Sequence, residues 1–172
     1  MGLFDLFGKK KDDLLELQKV VLTNSPDVLV MSKDKLIKSA TAMAQRDIEI
    51  INDCIRLIDT TKNPDVFFPR FNLMIERSAN LCVYEKHIRF SVSPAAACEE
   101  LQNNRYKCIR KFLVRYFSDV FDKAEKLKTE KAKAKKYQAF YDSLEPYFDQ
   151  MDDDNIDFVK TKLRAYTKNI PK

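Results

Sequence analysis

Apolar residues recur along most of this chain at intervals of three and four, the period of a helix with one buried face. The longest stripe is Leu36, Ile37, Ala40, Ala44, Ile48, Ile51, Ile55 and Ile58. With Ser32 as its N-cap, it predicts a helix running to about Thr60. Upstream, Leu3, Phe4, Leu6 and Phe7 fall on one side of a short helix and Asp5 and Lys9 on the other. Leu14, Leu17 and Val21 continue in phase until Asn24-Ser25-Pro26. Asn63-Pro64 reads as a cap followed by a proline in the first turn, where a missing N–H costs nothing. Pro69 conflicts with a helix already under way, so the pattern predicts a short turn over 64–68 and a main helix from about Pro69 to Phe90. That helix would bury Phe71, Met74, Ile75, Ser78, Leu81, Cys82 and Ile88, with Phe67 and Phe68 plugging the end of the core.

Ser93-Pro94 repeats the cap-and-proline device, and nothing interrupts the chain again until Pro146. One long helix from about 94, with at most a single break, is the expectation. Its stripe passes through Leu101, Cys108, Ile109, Phe112, Leu113, Tyr116, Phe117, Val120, Ala124 and Leu127. The stripe thins where Lys131, Ala134 and Tyr137 take the core phase, and it recovers at Phe140, Tyr141, Leu144 and Phe148. The stretch 125–136 is therefore expected to project, fold back or be solvated. Asp152-Asp153-Asp154-Asn155 opens a last helix from about 153, with acidic residues at its start and Lys162, Arg164 and Lys168 towards its end, as the helix dipole favours. The only strand candidate is Val28 to Met31.

These elements predict an all-α fold: an antiparallel helical bundle of about three long helices plus shorter terminal helices. Residues 1–31 form an amphipathic segment and a short helix, and 32–172 the bundle. Glycine usage narrows the function. The only two are Gly2 and Gly8. Phosphate-cradling loops, dinucleotide-binding turns and nucleophile elbows need glycine where backbone turns left-handed or approaches a ligand, so those routes to catalysis are closed after Gly8.

Cys54, Cys82, Cys98 and Cys108 are widely spaced among apolar residues without a C-x-x-C pair, which suits buried thiols rather than a zinc site. His87 is the only histidine and has no nucleophile beside it in sequence. Asp152, Asp154 and Asp157 do not follow a calcium loop, since Asp157 stands where glycine and Leu163 where glutamate is needed. Asp47 and Glu76 border the stripes of adjacent helices and are expected to pair with Arg46 or Arg77. No catalytic, cofactor or metal residue is assigned, and the chain reads as a non-enzyme.

Two basic segments stand out. Lys9, Lys10 and Lys11 follow the apolar Leu3, Phe4 and Phe7, a pattern that either touches an anionic membrane surface or docks on the protein itself. Lys128, Lys131 and Lys135 share a helix face, with Arg110, Lys111 and Arg115 farther up the same expected helix. Phosphate contact needs such cations, but aromatic residues to stack bases are missing until Tyr137, so a solvated face is the plainer reading. No run approaches the length of a spanning helix, and the N-terminal order, apolar before basic, is the reverse of a signal peptide. A cytoplasmic protein, with contact at the inner membrane face as a variant, is expected.

The strings NPDVFFPRFNLMIER (Asn63 to Arg77), RFSVSP (Arg89 to Pro94) and LKTEKAKAKK (Leu127 to Lys136) resemble a helical module of Gram-positive bacterial proteins. The resemblance spans about residues 33–165 and departs at Pro69, where the module usually has serine. It implies a bacterial helical domain and brings no catalytic motif. A long helix whose apolar phase lapses in the middle offers an extended surface, so the functional expectation is an adaptor or accessory protein that binds another protein. The alternative is a peripheral membrane-associated or non-specific nucleic-acid-contacting protein using 9–11 and 123–136.

Overall fold

The computed structural model describes Leu17, Lys19, Val20 and residues 33–167. These residues are overwhelmingly helical, and no strand occurs among them. In chain order the helices are α1 (Lys33–Thr60), α2 (Pro64–Glu85), α3 (Pro94–Asn103), α4 (Arg105–Glu125), α5 (Glu130–Leu144) and α6 (Asp153–Thr167), with a 3-10 segment, Glu145–Gln150, before the last. The fold class is all-α. No described residue has positive φ, so every turn here is built without the left-handed geometry that glycine would supply. The expected caps and strand candidate at Ser32 and Val28–Met31, and the whole segment up to Leu14, lie outside the described residues.

Side chains close the helix ends instead. Asn63 Oδ1 accepts the Asp65 N–H at 3.0 Å ahead of α2, and Ser93 Oγ accepts the Ala96 N–H at 3.3 Å ahead of α3. Thr129 Oγ1 accepts the Ala132 N–H at 3.2 Å ahead of α5, and Asp152 Oδ1 accepts the Asn155 N–H at 3.2 Å ahead of α6. The acidic cluster before α6 thus contributes a cap.

The chain divides into two compact units, one holding residues up to Ile55 with Asn72–Gln102, the other Arg56–Phe71 with Asn103 onward. In the first, α1 and α2 run antiparallel, with Leu36, Ala40 and Ala44 packed against Leu81 and Tyr84, and Leu17 in the same cluster. The stripe on α1 differs from the expected one. Ile48 is 38% and Ile55 42% exposed, whereas Asp47 and Cys54 are buried. The helical period explains this. At about 100° per residue, stepping from Leu36 by fours reaches position 48 about 120° off the buried direction. Position 47 lies only about 20° off and position 54 returns to it. The apolar phase had followed the isoleucines, but the geometry selects an aspartate and a cysteine.

In the second unit α4 and α5 are antiparallel neighbours, α6 packs on both, and the start of α2 supplies aromatic residues. The Phe67 ring stacks on Phe112 at 4.0 Å between centroids and on Phe71 at 5.5 Å, and Phe68 stacks on Tyr147 at 4.4 Å. Tyr147 Oη donates to Asp65 Oδ1 at 2.8 Å, so the polar end of that ring is satisfied.

The aromatic cluster accounts for the first correction to the predicted elements. α2 is one helix from Pro64 to Glu85 with Pro69 inside it, not a turn followed by a helix from Pro69 to Phe90. Pro69 cannot donate to the Asp65 carbonyl, a cost of about 3 kcal/mol in a helix interior. Phe67, Phe68 and Phe71 are each at most 1% exposed, and burying three phenylalanines outweighs that loss. The second correction is that the long helix from 94 breaks twice. Asn104 separates α3 from α4, and residues 126–129 separate α4 from α5. The second break makes 125–136 fold back, which buries Ala134 and Tyr137 and leaves Lys131 exposed.

Arg115 closes the end of α1. Its guanidinium donates to the Ile58 carbonyl at 2.6 Å and the Thr61 carbonyl at 3.1 Å, satisfying oxygens that have no helical partner. Arg115→Leu keeps the apolar stem and removes both donors. It is expected to lower stability by about 2 kcal/mol, read as a lower urea midpoint at unchanged slope. An unchanged midpoint would show that water replaces the guanidinium at no cost.

Candidate functional site: an aromatic groove on the second unit

Six residues of α4 and α6 with Ser118 line an open groove of about 390 Å³: Val114, Phe117, Phe121, Phe158, Lys162 and Tyr166. Val114 is 49% and Tyr166 38% exposed, so apolar surface faces solvent here. The rings form a connected set. Phe121 meets Tyr166 edge-on at 5.7 Å, Phe117 lies 5.7 Å from Tyr166, and Tyr166 stacks on Tyr137 at 4.6 Å. Among the described residues Lys162 is the one charged residue lining the groove, with its ammonium 5.0 Å from the Phe117 centroid and 5.4 Å from Phe158. Burial, and then the nearby Glu125, push the Tyr137 hydroxyl up to about 12, so Tyr137 stays neutral beneath this surface.

Beside it, Lys62, Arg110, Lys111, Arg115, Asp119 and Asp122 line a second open depression of about 520 Å³ that shares Val114 and Ser118 with the groove. Arg110 is engaged within the unit, donating to the Asp154 carbonyl at 2.6 Å with its guanidinium over the Phe158 ring at 4.6 Å. Lys62 and Lys123 both pair with Asp119, at 2.9 and 2.6 Å, and hold its carboxyl below the ordinary carboxylate range, Lys123 contributing most.

The structure separates the expected basic face. Arg110, Lys111 and Arg115 sit on α4, Lys131 and Lys135 on α5, and Lys128 in the turn between. Of the six, Lys111, Lys128, Lys131 and Lys135 are exposed, while both arginines hold backbone carbonyls. Tyr137, the aromatic residue closest in sequence to the lysines of α5, is 1% exposed and presents no face for stacking a base. The candidate membrane residues Leu3, Phe4, Phe7, Lys9, Lys10 and Lys11 lie outside the described residues.

In the first unit, the carboxyl of Asp47 pairs with Arg77, not Arg46. Arg77 Nη1 lies 3.3 Å from Asp47 Oδ1, and Asn80 Nδ2 donates to Oδ2 at 3.4 Å. Arg77 also lies 3.6 Å from Glu76. Burial raises the Asp47 pKa despite the guanidinium, and burial beside Asp47 pushes the Tyr84 phenol up to about 12. Cys54 is buried and Cys82, Cys98 and Cys108 are half-buried, so the expectation of four buried thiols holds for one. No group of three His, Cys, Asp or Glu residues able to hold a metal occurs among the described residues.

The groove was missed in sequence because Phe117 read as core and Tyr166 carried no assignment. One local sign pointed to it: Val114 and Phe121 are large apolar residues flanking the stripe of α4. No family model, curated protein or solved structure matches the chain.

Proposed function

We propose that this chain is a non-catalytic accessory protein whose α4–α6 groove docks an amphipathic helical segment of a protein partner. The observation carrying this reading is the solvent-facing aromatic groove, with Lys162 its one cation among the described residues. Phe121, Val114 and Tyr166 offer an apolar bed, and Lys162 offers one fixed charge for an Asp or Glu on the partner helix. Aromatic anchors around an apolar centre with charge at the edge are the composition of a protein-binding patch. No helix among the described residues is long and apolar enough to cross a membrane. A cytoplasmic location and a bacterial source accompany the proposal, the former in keeping with four cysteines outside any disulfide.

The test places a photo-crosslinking amino acid at Val114 and, as a control, at the exposed Glu49 of α1 in the native host. The expected result is a protein adduct at 114 that is absent at 49 and lost when Phe121→Asp and Lys162→Glu are combined. Adducts confined to lipid or nucleic acid, or equal at both positions, would overturn the reading.

The alternative, contact with nucleic acid or an anionic membrane, has its own measurement. Changing Lys128, Lys131 and Lys135 together to Gln is expected to alter stability by less than about 1 kcal/mol, because all three are exposed. No salt-dependent DNA binding is expected to disappear with them. Micromolar binding of the wild type at physiological salt, lost in the triple variant, would promote the nucleic-acid alternative above protein binding.

A further inference from the structure

α2 and α3 form a short antiparallel hairpin in the first unit, and its register is fixed by two independent contacts. At the turn end, Glu85 Oε2 accepts the Ala95 N–H at 2.9 Å, so the carboxylate of α2 caps the first turn of α3. Farther along, Ser78 and Leu81 of α2 share a pocket of about 230 Å³ with Pro94, Ala97 and Leu101 of α3. One turn back from Glu85 stands Cys82, and one turn on from Ala95 stands Cys98. In an antiparallel pair these positions face each other, and Cys98 lies near enough to act on the Cys82 thiol. Both are half-buried, so small molecules in solvent reach them, and neither is in a disulfide. No other described cysteine shares this seam: Cys54 is buried on α1 and Cys108 belongs to the other unit.

We propose that Cys82 and Cys98 are a redox site: they exchange with a small-molecule disulfide such as oxidised glutathione and close a reversible bond between α2 and α3. The two sulfurs are unequal. Cys82 donates its S–H to the Ser78 carbonyl at 3.3 Å, and burial, with Cys98 and Glu85 nearby, pushes its thiol up to about 11. Cys82 is therefore held protonated, and Cys98 is the sulfur that attacks first. The Cys98 thiolate displaces one thiolate from the small disulfide and becomes a mixed disulfide, its proton passing to the leaving group. Cys82 then loses its proton to solvent, attacks the Cys98 sulfur and expels the second thiolate, which takes up a proton. The protein is oxidised by two electrons, the small disulfide is reduced to two thiols, and no further oxidant enters. The new bond ties the α3 wall of the apolar pocket to α2.

The test incubates the purified full chain with oxidised glutathione, quenches with acid, and maps cysteines by mass spectrometry after digestion. The wild type is expected to lose two free thiols, to show a Cys82–Cys98 linked peptide pair lighter by two hydrogens, and to return to four thiols with a reducing dithiol. Its melting temperature is expected to be higher when oxidised, because a cross-link restricts the unfolded chain. Cys82→Ser should stop at one glutathione on Cys98, and Cys98→Ser should leave Cys82 reacting at least tenfold more slowly. Circular dichroism of both variants checks that they fold. If either does not, the wild-type peptide map still decides. Separate glutathione adducts on both residues of the wild type, linkage to Cys54 or Cys108, or four unreacted thiols would each overturn the proposal.

Discussion

Phe112→Ala is expected to remove about 4 kcal/mol of stability. Phe112 is 0% exposed and touches three other rings: Phe67 stacked at 4.0 Å, Phe68 edge-on at 5.8 Å and Tyr116 at 5.9 Å. Truncation forfeits the transfer free energy of a benzyl group and leaves a cavity between helices that Arg115 and the Tyr147–Asp65 bond hold in place. Collapse of that cavity is limited, so the loss belongs near the upper end for Phe→Ala. It also removes the partner of Phe67, the ring that offsets Pro69 in α2. Phe112→Leu, which fills most of the volume, should cost about 1–2 kcal/mol. Thermal unfolding followed by circular dichroism checks both, with a fall of about 10 °C expected for alanine. A wild-type transition for Phe112→Ala would mean that the stacked cluster carries no stability and that Pro69 is tolerated for another reason.

Arg77→Met should cost about 3 kcal/mol at neutral pH, and Asp47→Asn in the same chain should restore most of it. Asp47 is 3% exposed, and its charged form is held by Arg77 and Asn80. Removing the guanidinium strands a carboxylate between α1 and α2, which is what makes breaking a buried pair costly. The pH dependence has a definite sign. Burial places the folded-state pKa of Asp47 above the ordinary carboxylate value. The protonated form is thus favoured by folding, and this contribution is fully present below the unfolded pKa and lost as pH rises through the folded one. Arg77→Met raises the folded pKa further, so its deficit should shrink between neutral and acidic pH as the carboxyl takes up its proton. Asp47→Asn alone should match or exceed wild-type stability at neutral pH, because the amide keeps the shape without the charge. Urea titrations of the four proteins in the double-mutant cycle at both pH values measure this. A deficit for Arg77→Met that is the same at both pH values, or is not recovered by Asp47→Asn, would show that Arg77 acts through its apolar stem and not through Asp47.

Helix content, the bounds of α1 and α6 and three of the caps were legible because they depend on neighbours in sequence. Asn63, Ser93 and Asp152 bond N–H groups two or three residues away, so the signal and the structure it specifies share one window. The first part of α1 was legible for the same reason, as Leu36, Ala40 and Ala44 are all buried. The candidate groove was legible only as apolar positions on α4 and α6, with no sign that the two faces would meet. The basic face was legible as charge alone, since nothing local says that Arg110 and Arg115 will be consumed by carbonyls on distant segments.

The sequence by itself determined that this protein is all-α and glycine-free in its turns, because helical period, side-chain capping and backbone sterics act over a few residues. Only the tertiary structure decided whether α2 would continue through Pro69, since the ring's local cost is set against Phe112, which lies far along the chain. It likewise decided that α4 would end at Glu125 and that α5 would turn back to bury Ala134 and Tyr137, because Thr129 offers a cap but the returning face has value only against α4. It also decided which side of α1 faces inward, from which the helical period buries Asp47 and Cys54 in place of Ile48 and Ile55, and it set Cys82 beside Cys98. The physical reason is common to all four. Burial energy belongs to pairs of surfaces, and a residue's share depends on what arrives opposite it, which no local pattern contains.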